Sequence, residues 1–300
     1  IRPPPISTHF PNTTLFRSAV TLWHGMPIDM SVLHSFWLTI AAYDTGGFAP
    51  QSMNTLFYHS WPLELITILL MLAGMMNFNL HADLWRGDKG EIFQNIEART
   101  LAANMLTLIA FAAAGMAATT LFSGTGEIMR KGIYHIVSAN SGTGHQTLYA
   151  SQWADIGPAA FYAVILAMAF GGMVSSTAGG IKALRIGLII KQVVLDVRRS
   201  LSPQSAVVRS TFHHLTVRPL TAELVAAALM IFVLYIVTYI TGGLIGAAYG
   251  YPLDMALFES ISATANVGLS AGITSPSMPT GLKLLYIAQM WIGRLEFFTI

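Results

Sequence analysis

The sequence predicts an all-α integral membrane protein, and three observations carry that prediction. Hydrophobic residues fill 54% of the 300 positions and charged residues only 10%, against about 25% charged in an ordinary soluble domain. Mean hydropathy is +0.58. Long apolar runs also alternate with shorter ones of about a dozen residues, too short to cross a bilayer. The net charge of +2 leaves no basic excess suited to nucleic acid. The absence of cysteine rules out disulfides, thiolate metal sites and a cysteine nucleophile.

Residues 1–18 (IRPPPISTHFPNTTLFRS) are Pro-rich, lack helical periodicity and lack the basic-then-apolar layout of a signal peptide. We expect a non-native leader or sequencing read-through and set them apart. The chain starts at Ile1 and stops inside the apolar run Phe297-Phe298-Thr299-Ile300, so both ends read as cut.

The elements then follow in order. A half-length apolar stretch, 30–42, precedes a candidate span at 61–82. A second span, 98–122, is followed by a half-length stretch at 128–139 and a long segment at 157–192. The span 219–247, the half-length stretch 252–263 and a last span starting near Leu282 complete the chain. A crossing helix needs about 20 apolar residues, so the three short stretches read as re-entrant half-helices. The connection 83–99 carries Arg86, Lys89 and Arg99, and 182–218 carries Lys182, Arg185, Lys191, Arg198, Arg199, Arg209 and Arg218. By the positive-inside rule both are cytoplasmic, which puts the half-helices on the outer side.

Each half-helix ends in a similar phrase. The first reads Ala41-Ala42-Tyr43-Asp44-Thr45-Gly46-Gly47-Phe48, the second Ser138-Ala139-Asn140-Ser141-Gly142-Thr143-Gly144-His145, and the third Ser262-Ala263-Thr264-Ala265-Asn266-Val267-Gly268-Leu269. Another glycine follows each by about 25 to 28 residues: Gly74, the pair Gly171-Gly172, and Gly293. A half-helix entering from outside aims its negative dipole end at the membrane centre. Irregular backbone survives there only when buried or lining a water-filled path. Converging carbonyls from several copies replace a cation's hydration shell, and glycine supplies the dihedrals that aim them.

The 157–192 segment is interrupted by Gly171-Gly172-Met173-Val174-Ser175-Ser176-Thr177-Ala178-Gly179-Gly180-Ile181-Lys182. As one helix it would be about 54 Å long against a core of about 30 Å. A broken helix with a mid-membrane loop is expected, a feature that marks binding or gating sites in transport proteins. Arg294 falls near mid-depth of the last span, where a charge is costly enough to demand an aqueous path or a partner. Glu296, two residues on, is expected to point elsewhere.

The phrases GGMVSSTAGGIKALR and IGRLEFFT, together with the three filter-like repeats, resemble the Trk/Ktr/HKT potassium-transporter superfamily over roughly residues 25–300. The Gly293-Arg294-Leu295-Glu296 form is closer to the bacterial TrkH branch than to KtrB. The resemblance implies repeated helix–pore loop–helix units around a pseudo-fourfold pore. It divides the chain into repeat two (19–97), repeat three with the gate loop (98–200) and a truncated repeat four (201–300). It implies a potassium filter at Asp44, Thr45, Gly46 and Gly47, at Ser141, Gly142, Thr143 and Gly144, and at Ala265, Asn266, Val267 and Gly268. It implies a gate at Gly171, Gly172, Ser175, Ser176, Thr177, Gly179, Gly180 and Lys182, opposed by Arg294. Potassium would be the transported ion, with no bound cofactor. The setting would be multi-pass in the bacterial cytoplasmic membrane, with a homodimer, membrane lipid and a cytoplasmic nucleotide-binding RCK (TrkA-like) ring as partners. The basic 182–218 stretch is a candidate dock for that ring.

Two features depart from the family pattern. A first repeat is missing, so three loops alone would not close a four-sided pore. Ser141-Gly142-Thr143-Gly144-His145 replaces the usual Thr-rich, Gly-Phe ending, and Asp44 adds a carboxylate. A sodium-permeant or sodium- or proton-coupled potassium symporter on the same scaffold therefore stays open. A haem-carrying respiratory subunit is a remote alternative, because the nine histidines show no facing pair at mid-depth of two spans. An intramembrane enzyme is disfavoured, since Glu64, Glu223 and Glu259 lack a partner base or metal spacing. Glu64 and Glu223 read as opening-turn residues, and Glu259 as a candidate to order the third loop. Trp61, Tyr286 and Trp291 read as interfacial belt or packing.

Overall fold

The computed structural model describes residues 25–122, 124–203 and 210–297. The expected leader, 1–18, lies outside these. The fold is helical: α1 (Ile28–Tyr43), α2 (Trp61–Gly74), α3 (Phe78–Trp85), α4 (Gly90–Gln94), α5 (Ile96–Ala117), α6 (Thr125–Ser141), α7 (Pro158–Ala169), α8 (Ala183–Leu201), α9 (Ala222–Ala248), α10 (Leu253–Thr264) and α11 (Thr280–Arg294). One antiparallel hairpin, β1 (Thr211–His214) with β2 (Thr216–Pro219), precedes α9.

The half-helices are α1, α6 and α10, and each stops at the phrase that follows it. Pro27 and Pro252 stand just before α1 and α10, where the missing N–H costs nothing. Among the described residues, α5 and α9 are the single helices long and apolar enough to cross a membrane. Asn95 and Thr221 cap them, accepting from the amides of Glu97 and Leu224.

One predicted span is corrected. Residues 61–82 are not one helix: α2 and α3 meet at a 101° bend. The cause lies elsewhere in the chain, because the Gly74 and Met75 carbonyls, freed at the break, accept hydrogen bonds from Thr177 and Met173. Asn77 then caps α3, its side chain accepting from the Asn79 amide. The long segment 157–192 is broken, as its length required: α7 ends at Ala169, α8 starts at Ala183, and irregular chain fills the interval.

The main core runs between α5, α6, α7, α9 and α10, with Trp153, Tyr235 and Phe258 fully buried at its centre. Close approach fixes several crossings. A side chain at Gly115 would strike the backbone of Ala160, and one at Gly242 would strike Gln289 and Ser260.

Candidate functional site

The three loops share one backbone design. At the end of α1 the Ala41 carbonyl accepts from the Gly46 and Gly47 amides, at 3.0 and 3.2 Å. At the end of α6 the Ser138 carbonyl accepts from Thr143 and Gly144, at 3.1 and 3.4 Å; at the end of α10 the Ser262 carbonyl accepts from Val267, at 2.9 Å. The Ser138 and Ser262 hydroxyls donate to the His145 and Leu269 carbonyls, each at 2.6 Å. Ala41 has no hydroxyl; in the first loop the Asn54 amide donates to the Gly47 carbonyl, one residue earlier, at 3.2 Å.

Left-handed backbone recurs at matching positions. Thr45, Gly142 and Asn266 have φ of 56°, 76° and 56°, and Gly47, Gly144 and Gly268 have φ of 67°, 75° and 85°. The residue between each pair is not left-handed. Alternating hand turns successive carbonyls toward one side, as a carbonyl-lined path requires. For Thr45 and Asn266 that conformation costs about 1–2 kcal/mol.

The loops also meet edge to edge in a consistent order. A Cβ at Gly47 would run into the Thr143 carbonyl, and a Cβ at Gly144 would run into the Val267 carbonyl. Gly268, the third member, meets nothing within 4 Å among the described residues. Each loop is further braced by the next helix. A Cβ at Gly74 would strike the Tyr43 carbonyl and one at Gly293 the Thr264 carbonyl, the matching last residues of α1 and α10. In the second unit, the Asn140 side-chain amide donates to the Phe170 carbonyl and, at 3.3 Å, to that of Ala167.

The glycine-rich interval 170–182 lies against all three loops. Its stem is closed locally: the Gly171 amide donates to Ile181 and the Ile181 amide to Ala169. Its middle is held from outside. The Thr45 hydroxyl donates to the Thr177 hydroxyl at 3.0 Å, and Thr177 donates to the Gly74 carbonyl at 2.9 Å. Gly142 has the Gly179 amide 3.1 Å from where its Cβ would sit, and a Cβ at Gly179 would meet the Ala265 carbonyl. Arg294 Nη1 donates to the Thr177 carbonyl at 3.2 Å. A polar cavity of about 300 Å³ opens below, lined by Ser175, Ser176, Gly180, Lys182, Arg294 and Glu296 among others.

Several residues sit differently from expectation. Glu296 does not point away: α11 ends at Arg294, Glu296 and Phe297 turn left-handed, and its carboxylate reaches Arg185 and lies 3.8 Å from Lys182. Lys182 Nζ also donates to the Ala178 carbonyl. The Asp44 carboxylate accepts from the Gly46 amide at 2.8 Å, so one oxygen is engaged by its own loop. Ser141 shares a 2.7 Å hydrogen bond with Thr143.

Glu259 collects four hydrogen bonds just beyond the third loop, from the Ala271 and Ile273 amides and the Ser270 and Thr274 hydroxyls. Glu64 lies in the first turn of α2 but is also clamped by Arg130 of α6, at 2.5 and 2.7 Å. Sequence reasoning missed Arg130, and it missed Glu97. Fully buried in the first turn of α5, Glu97 accepts from the Val174 amide at 2.8 Å and bonds His214 at 2.8 Å. A buried carboxylate is tolerated only with such partners. The available signal was an acidic residue two places past an Asn cap, which reads equally well as a dipole partner.

The family model described as "Cation transport protein", TrkH, matches residues 13–300. The chain is 27% identical over 266 residues to an uncharacterised cation transporter of Methanocaldococcus jannaschii, covering 87% of this chain and 52% of that protein. It is 28% identical over 289 residues to the Trk system potassium uptake protein TrkH of Salmonella typhimurium, covering 94% of this chain and 57% of the relative. The chain thus spans about half the length of these relatives. The crystal structure of the potassium transporter TrkH from Vibrio parahaemolyticus superposes with a TM-score of 0.77 at 20% identity, over 96% of this chain and 60% of that one.

Proposed function

The chain belongs to the TrkH family of cation transport proteins, and from that premise we propose that it forms most of a potassium-uptake pathway across a bacterial cytoplasmic membrane. One observation carries the reading: three loops repeat the same pair of left-handed positions and meet edge to edge. Backbone carbonyls of 44–47, 141–144 and 265–268 replace the ion's hydration shell, at little cost in reorganisation because each loop is tied to its own half-helix. The interval 170–182, with Arg294, is the gate between this filter and the cytoplasmic side. Support comes from the hydrogen bonds that join Thr177 to Thr45, Gly74 and Arg294. The divisions 19–97, 98–200 and 201–300 act as successive units around the pore. A second copy and a cytoplasmic nucleotide-binding RCK subunit are the partners that the resemblance implies.

The test is cation influx. The chain is joined to the segments by which the Salmonella relative exceeds it, and expressed in bacteria lacking potassium uptake. Growth at low potassium with rubidium influx, both lost in Gly144→Ala, is the expected result. Sodium influx without rubidium influx would overturn the potassium assignment while keeping the pathway.

A further inference from the structure

The gate's middle is fastened at a third place that neither the filter nor Arg294 explains. Glu97 sits at the start of α5, fully buried, with its two carboxylate oxygens used in opposite directions. One accepts from the Val174 amide, inside the gate loop, at 2.8 Å. The other bonds His214 Nε2, also at 2.8 Å. His214 ends β1 of the hairpin, whose second strand is exposed along its whole length. The neighbouring pair, His213 with Glu91 at 2.7 Å and the Leu215 amide with Glu91 at 3.0 Å, seats the same hairpin without touching the gate.

We infer that Glu97 is a positioning residue for the gate, and that through His214 it makes the hairpin 211–219 a handle on the gate loop. The physical argument is one of alternatives. The Val174 amide has no other acceptor among the hydrogen bonds of the described residues. A carboxylate freed from His214 in this buried setting loses a charge-assisted bond and seeks another donor. A displacement of the exposed strand therefore reaches the gate through two hydrogen bonds and one buried side chain. The inference rests on reading 170–182 as the gate.

The chain holds no cysteine, so single reporters are clean. Ser175→Cys is exposed in the gate loop beside the cavity, and Ser52→Cys is exposed beyond the first loop. Each is placed in the chain in lipid nanodiscs, and its reaction rate with a cationic thiosulfonate is measured. Glu97→Ala and His214→Ala should each speed labelling at 175 by about fivefold or more, the size of one lost buried hydrogen bond. Neither should change the rate at 52. Glu97→Gln retains a carbonyl for Val174, and its amide donates to His214 Nε2 once the ring proton sits on Nδ1, so it should react at nearly the parent rate. His214→Ala leaves Glu97 in place and serves even if Glu97→Ala does not fold. An unchanged rate at 175 in His214→Ala would overturn the coupling. Equal acceleration at 52 would reduce the pair to a global structural role, and Glu97→Gln behaving like Glu97→Ala would overturn the hydrogen-bonded bridge. Labelling does not depend on which ion passes, so failure of the influx experiment above leaves this outcome readable.

Discussion

The three loops proposed as a filter and the interval 170–182 proposed as a gate are both glycine-containing irregular chain at the same centre, yet they are held in different ways. Each filter loop closes on its own half-helix: Ala41, Ser138 and Ser262 each take one or two amides from a few residues ahead. The interval 170–182 closes its stem locally and adds one internal bond, from the Ser176 hydroxyl to the Met173 carbonyl, while residues 173–178 otherwise hang on Met75, Gly74, Glu97, Thr45 and Arg294. Local closure makes a loop's shape a property of its own sequence. Closure by distant partners makes it a property of the surroundings, which any movement of those partners can change. The first arrangement suits a filter and the second a gate.

The largest expected effect comes from breaking the filter side. Gly144→Ala drives a Cβ into the Val267 carbonyl at a left-handed position, with no flexible side chain to give way. Rubidium influx in the joined protein should fall to background, and thermal stability of the chain should drop by several kcal/mol, on the order of other severe backbone conflicts. Gly268→Ala meets no atom of the described residues within 4 Å, so it should cost only the left-handed strain, about 1–2 kcal/mol. Equal losses at the two sites would break the edge-to-edge order inferred for the loops.

A smaller effect is expected where helix and loop brace each other. Gly293→Ala puts a methyl against the Thr264 carbonyl, and α11 must shift to admit it. The expected readout is a reduced influx with the chain still folded. Thr177→Val then removes the hydroxyl that links Thr45 to Gly74, a loss of about 1–3 kcal/mol local to the gate. It should raise influx rather than lower it, and should leave the preference for rubidium over sodium unchanged.

The smallest effect concerns the hairpin. Burial works to raise the Glu91 carboxyl, but hydrogen bonds from His213, Asn95 and the Leu215 amide outweigh it and hold the group below its ordinary value. The seating of the hairpin by Glu91 is therefore complete above the ordinary carboxylate range and is lost as pH falls through the lowered value. Amide exchange across 211–219 should be flat from pH 8 down to about 5, once corrected for intrinsic rates. A rise already near neutral pH would contradict the assignment.

Much of this contrast was legible in the sequence on one side and hidden on the other. The half-helices 30–42, 128–139 and 252–263 fall on α1, α6 and α10, because their length and the glycine-containing phrases that end them are local signals. The break in 157–192 followed from length and four glycines. The bend after Gly74 was not legible, since an apolar run with one glycine looks continuous until Met173 and Thr177 claim its carbonyls. Glu296 was misjudged because helical spacing was extended past Arg294, where the helix in fact ends. Glu97 and His214 are 117 positions apart, and nothing local to either announces the other. What the interval 170–182 holds onto is long-range by nature, so a reading built on periodicity and short motifs sees the loop and not its moorings.

Rubidium influx compared between Gly144→Ala and Thr177→Val, at equal membrane abundance in the joined protein, tests the central claim most directly. A filter closed on itself above a gate held from outside predicts changes of opposite sign, with influx abolished in the first variant and raised above the parent in the second. A fall in both would mean that the interval 170–182 is part of the conducting filter rather than a gate beneath it, and would contradict the division of labour proposed between the two loops.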